Sequence, residues 1–145
     1  MSSRLLRVAA GALAIAVAAF FFSLALSAEA YRATSPPHVA AIIFGSQAAR
    51  LGDPYGISLH IVLRKLYSIV AFAIVGFTAE LALPRSPRPA LRMALLIAAY
   101  SAAIEAGQFL RGSTEGPWWN AADIFCGAAG GWIAGRWTPG RWKTR

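Results

Sequence analysis

The chain has 145 residues, too few for more than one domain of ordinary size. It is 57% hydrophobic and 14% charged, with a mean hydropathy of +0.53; soluble domains carry about 25% charged residues, and one soluble core of this length cannot hide so much apolar surface, so lipid is its natural solvent. The net charge of +8 does not point to nucleic acid: no basic stripe is interleaved with exposed aromatics in a polar segment, and basic residues in membrane proteins act as topology signals and meet anionic headgroups.

A helix needs about 20 mostly apolar residues to cross a bilayer. Four stretches come close: residues 5–28, 64–83, 90–109 and 118–137. The first follows Arg4 and Arg7 and is uncharged from Val8 to Ala28. Ala28-Glu29-Ala30 fits a small-x-small cleavage site, so two readings stand, a cleaved signal peptide and an uncleaved anchor. The apolar run exceeds the roughly 7 to 15 residues of a signal core, which favours the anchor.

Between the first two spans, Ser35-Pro36-Pro37 and Gly52-Asp53-Pro54-Tyr55-Gly56 read as turns. His38 to Leu51, with Val39, Ile42 and Ile43, suits a short interfacial or re-entrant helix too short to span. His38 and His60 read as headgroup-level surface residues. Arg64 and Lys65 open the second span, and Glu80 near its far end is expected to be paired or to face the following loop. Pro84-Arg85-Ser86-Pro87-Arg88-Pro89 ends that helix and turns the chain tightly into the third. The third span contains Arg92 and Glu105, and the fourth contains Asp123 and Arg136. Trp118 and Trp119 at one end of the fourth span, with Trp137 and Trp142 at the other, suit the two interfaces, where indole has both an apolar body and a polar nitrogen. Trp132 lies deeper and reads as a packing residue. Gly127, Gly131 and Gly135 recur every four residues, broadened by Gly130, and form a stripe that admits another helix closely; the alanine-rich first helix is the expected partner. A homo-oligomer or a membrane partner docking through the fourth helix is the other use of such a stripe.

With the N-terminus inside, the inner segments hold Arg4, Arg7, Arg85, Arg88, Arg92, Arg136, Arg141, Lys143 and Arg145, and the outer ones Arg32, Arg50, Arg64, Lys65 and Arg111. This bias predicts an all-α membrane protein with four transmembrane helices, N-in and C-in, multi-pass in the cell (inner or plasma) membrane.

Polar residues near hydrocarbon are costly and so carry information. Arg64 and Lys65, Glu105 and Gln108 (three apart, hence on one helix face), and Asp123 all fall near the outer level, giving a candidate ligand-binding cluster drawn from three helices. Each has a plainer reading. Arg64 and Lys65 can snorkel to headgroups, Glu105 can pair with Lys65, and Asn120 and Asp123 have the spacing of an N-cap and its third residue. Glu105 and Asp123 are the best candidates for a general base, should a reaction be catalysed. No serine or cysteine nucleophile has a base at recognisable spacing and no H-E-x-x-H motif occurs, so enzymatic activity is not favoured. A lone Cys126 excludes an internal disulfide, and two histidines do not make a metal cluster; no metal or cofactor is expected.

The second half resembles the VanZ-like family of small membrane proteins. Glu105-Ala106-Gly107-Gln108, a short polar connection containing Arg111 to Glu115, and Asp123-Ile124-Phe125-Cys126-Gly127-Ala128-Ala129-Gly130 are similar to that family's E-x-x-Q, connecting loop and D-x-x-x-N-x-x-G. Arg64-Lys65-Leu66-Tyr67-Ser68 is set against its D-K-x-x-H. The resemblance covers about residues 60 to 135. Lys65, Glu105, Gln108, Asp123 and Gly130 carry over. Ser68 stands where the family has histidine, which removes a proton carrier near neutral pH, while Arg64 stands where it often has aspartate and Gly127 where it often has asparagine. The resemblance implies a cell-envelope membrane protein, engaging a lipid-linked glycan or peptidoglycan precursor headgroup at the outer leaflet. The alternative is a structural or interaction module whose charges only lock helix packing.

Overall fold

The computed structural model describes residues 3–27, 54–112 and 116–137. These form four helices: α1 Ser3–Ala25, α2 Pro54–Ala82, α3 Pro89–Leu110 and α4 Pro117–Trp137. Leu5–Ala25, Arg64–Ala82 and Pro89–Leu110 are each long and apolar enough to cross a membrane. At 21 residues α4 has the length, but Asn120, Asp123, Arg136 and four glycines make it less apolar than the other three. The expected interfacial helix at 38–51 lies outside the described residues.

Proline opens three of the helices. At the first helical position its missing N–H is one that would have no intrahelical partner, and its φ is already helical. Two expectations change on this account. The Gly52–Gly56 turn gives way at Pro54, because residues 54–56 form the first turn of α2. That helix, at 29 residues, is roughly 43 Å long, so it outreaches a hydrocarbon core of about 30 Å. Likewise Asn120 is no N-cap: α4 starts at Pro117, the Asn120 amide already donates to Gly116 O at 3.1 Å, and Asp123 falls in the second turn.

The helices run up, down, up and down. Gly11 of α1 faces Ala82 near the end of α2. Leu83–Arg88 links α2 to α3, and Gly112 (φ +70°) and Gly116 (φ +99°) flank the link to α4 in a conformation that glycine adopts without strain. α4 is the hub. A methyl group added at Gly127, Gly131 or Gly135 would strike Ser101, the Met93 carbonyl and Ala90 respectively, all on α3. One added at Gly130 would meet Ile69 O and Phe72 of α2 at 2.6 and 2.8 Å. The glycine stripe is therefore filled by α3 and α2 within the chain. The expected pairing with α1 is not observed, because α1 lies on α2 instead.

Three donors, two on α3 and one at its C-cap, fasten the far end of α1. Tyr100 Oη donates to Ala18 O (2.6 Å), Gln108 Nε2 to Ala25 O (3.1 Å) and Arg111 Nη1 to Leu26 O (2.9 Å). The last two occupy carbonyls that a helix C-terminus leaves without intrahelical partners. Phe22 and Phe72 pack on the Tyr100 ring.

Val75, Met93, Ile97, Ile104, Cys126 and Ala134 are buried, whereas many large apolar side chains, Ile15, Phe20, Val70, Leu95 and Phe125 among them, are exposed. An exterior with so many exposed apolar side chains suits a lipid surround. Trp132 departs from its reading as a packing residue: it is about half exposed, with the Arg136 guanidinium 4.9 Å from its ring centre.

Candidate functional site

The α2–α4 contact sets the register of the polar residues. Phe72 and Gly130 touch, and seven residues earlier on both helices, two turns back, the same faces meet again at Lys65 and Asp123. Lys65 Nζ lies 2.5 Å from Asp123 Oδ2, with the two side chains 15% and 14% exposed. The Trp119 ring centre is 5.5 Å from the same ammonium, and its π-face adds to the attraction that holds the cation.

α3 contributes from the neighbouring face of α4. Ser101 Oγ donates to the Asp123 carbonyl (3.0 Å), an approach open only because Gly127, one turn on, has no side chain. Four residues along α3 is Glu105; with the Asn120 side-chain amide oriented so that its nitrogen meets acceptors, Nδ2 donates to Glu105 Oε2 (3.1 Å) and to Gly116 O (3.0 Å). Ser101 and Glu105 on α3 thus match Asp123 and Asn120 on the antiparallel α4.

Of the residues singled out by sequence, Lys65 and Asp123 are in direct contact, and Glu105 lies against Asn120, about one turn before Asp123 on α4. Gln108 does not, because its amide nitrogen is committed to α1. Arg64 is half-buried beside Lys65, and its carbonyl accepts the Ser68 hydroxyl (3.0 Å). The Ser68 hydroxyl therefore serves its own helix. Ser101, Trp119 and Asn120 belong to the site although sequence reasoning gave none of them this role. The signal for Ser101 was its place four residues before Glu105, on the same helix face.

A second ion pair lies at the other end of the bundle. Arg92 Nη2 donates to Glu80 Oε2 (2.6 Å), and Nη1 to Pro84 O (2.6 Å). Glu80 is 3% exposed and Arg92 26%, so this pair ties α2 to α3 through a buried carboxylate and a guanidinium that still reaches the surface.

The first cluster has opposite charges in contact, partial access and an aromatic face, which together can receive a polar group. An anion would take Lys65 from Asp123, and hydroxyl or ammonium donors would meet Asp123 and Glu105. Ser101 is 1% exposed and its hydroxyl is engaged, so it is no nucleophile. Among the described residues no three His, Cys, Asp or Glu side chains gather to hold a metal ion. No family model, curated protein or solved structure matches this chain.

Proposed function

We propose that the chain is a VanZ-like, four-span cell-envelope protein of the inner or plasma membrane with both ends cytoplasmic. Its outer-end cluster engages the headgroup of a lipid-linked glycan or peptidoglycan precursor. The observation that carries the reading is the Lys65–Asp123 contact beside Trp119, with Glu105 against Asn120 about one turn back along α4, because charges from three helices lie near one level. Lys65 would hold phosphate, with Arg64 beside it, while Asp123 and Glu105 accept hydrogen bonds from sugar or amine. Gln108 keeps α1 in place and is left out of the ligand set. The fourth span is supported by the fit of its glycine face to α2 and α3 and by outward Phe125, Trp132 and Ile133. The orientation is supported by the nine-to-five division of lysine and arginine.

The test is complementation of a deletion strain under cell-wall stress. Lys65→Ala, Glu105→Ala and Asp123→Ala are expected to lose the phenotype while membrane levels stay within about twofold of the parent, a fall of less than about 0.5 kcal/mol in folded population. Normal complementation at normal levels would overturn the reading.

The second reading, a structural module, is favoured by the same ion pair being closed and largely buried. On that reading the alanine variants lose abundance first, and function falls only in proportion.

A further inference from the structure

The end of the bundle opposite the Lys65 cluster has an electrostatic character of its own. Arg7 at the start of α1, Arg85 and Arg88 in the α2–α3 link, and Arg136 at the end of α4 are all exposed there. Two contacts bring these elements to one level. Gly11 faces Ala82, which sets the first turns of α1 beside the end of α2, and Gly135 lies against Pro89 and Ala90, which sets the end of α4 beside the start of α3. Among the described residues, Glu80 is the one acid at this end, and it is buried and paired with Arg92. The exposed charge is uniformly positive.

This basic end also has an apolar wall. Gly131 and Gly135 face α3, so Trp132 and Arg136, each one residue further on, point about 100° around α4 and flank the α3–α4 seam. Arg136 lies on the Trp132 ring, and Trp137 is 80% exposed. On α3, Leu91 and Leu95 are exposed one turn apart below Arg88. Exposed guanidinium groups and exposed indole and leucine side chains thus share this end of α3 and α4, with Arg136 lying on Trp132. Inorganic phosphate would use the guanidinium groups alone. A diacyl anionic phospholipid uses both, its phosphate among the arginines and its chains along the apolar wall.

We propose that the α3–α4 seam at this end, with Arg88, Arg136 and Trp132, is a binding site for an anionic phospholipid such as phosphatidylglycerol. The inference rests on the membrane reading above and is independent of what the Lys65 cluster binds. Anionic headgroups favour each nearby arginine by about fivefold, so removing two costs roughly 30-fold in affinity.

The experiment places the full chain in nanodiscs of phosphatidylcholine with increasing phosphatidylglycerol and counts retained lipids by native mass spectrometry. The parent is expected to retain phosphatidylglycerol in preference to phosphatidylcholine. Arg88→Gln/Arg136→Gln should lose that preference by roughly 30-fold, and Arg88→Lys/Arg136→Lys should keep most of it. Arg32→Gln/Arg50→Gln, in the connection between α1 and α2, removes the same charge and should match the parent. Millimolar glycerol phosphate should not compete, since it lacks the chains. Equal loss from the Arg32/Arg50 variant, no loss from the Arg88/Arg136 variant, or full competition by glycerol phosphate would each overturn the proposal. A chain that fails to enter nanodiscs would overturn the membrane reading itself.

Discussion

Lys65 and Asp123 meet across the parallel α2–α4 contact at 2.5 Å, two helical turns from the point where Phe72 closes on Gly130. One packing register therefore sets both the closest backbone approach and the ion pair. A change that spreads α2 from α4 at Gly130 also opens the polar cluster.

That coupling yields a first prediction. Gly130→Ala puts a methyl group 2.6 Å from Ile69 O, which backbone must move to relieve. Overpacking of this kind costs about 1–3 kcal/mol. Gly131→Leu, against the Met93 backbone, should be worse than any single charge substitution. Gly11→Ala, with its nearest neighbour at 3.8 Å, should leave stability almost unchanged. Thermal unfolding in detergent ranks the three.

The Glu80–Arg92 pair makes a second prediction. Glu80→Gln removes the charge opposite the Arg92 guanidinium and leaves it a neutral amide oxygen and Pro84 O as acceptors. Breaking a fully buried pair from one side costs about 3–5 kcal/mol, and less is expected here because Arg92 is 26% exposed, whereas replacing both partners with apolar residues of similar volume is milder still. Glu80→Leu/Arg92→Met should therefore be more stable than Glu80→Gln, as read by the same unfolding measurement.

A third prediction concerns the first helix. Tyr100, Gln108 and Arg111 each donate to an α1 carbonyl, so α1 is docked by groups on α3 as well as by its packing on α2. A chain tagged at both ends should run as a single species carrying both tags. Gln108→Ala/Arg111→Ala should speed proteolysis between α1 and α2, because about 1–3 kcal/mol of hydrogen bonding to helix-end carbonyls is lost. A mature N-terminus near Tyr31 would contradict the retained helix.

A fourth prediction separates Asn120 from its neighbours. Its amide bridges Glu105 and Gly116 O, so Asn120→Asp would set a second carboxylate against Glu105. This variant should be less stable than Asn120→Ser, and the gap should shrink as salt rises and screens the repulsion.

The helices were legible because an apolar run of span length is a property of neighbouring residues. Helix starts were less so: Gly52-Asp53-Pro54-Tyr55-Gly56 carries turn chemistry, yet proline is equally at home at the first helical position, where the structure uses Pro54. The level of the polar residues was legible from their distance along each span. Their partners were not, since the choice between Asp123 and Glu105 for Lys65 is made by the α2–α4 register at Gly130. Spacing put Glu105 and Gln108 on one face, but that face looks to α4 at Glu105 and to α1 at Gln108. The glycine stripe announced close packing without naming its partner, because a flat face fits any small-residue helix.

The central claim is that the Lys65–Asp123 cluster acts on a headgroup and does more than hold helices together. The most direct measurement is the charge swap Lys65→Asp/Asp123→Lys, scored for both membrane abundance and complementation under cell-wall stress. The swap preserves an ion pair but inverts what each helix presents. The account predicts abundance close to the parent with the phenotype still lost; recovery of both together would contradict it.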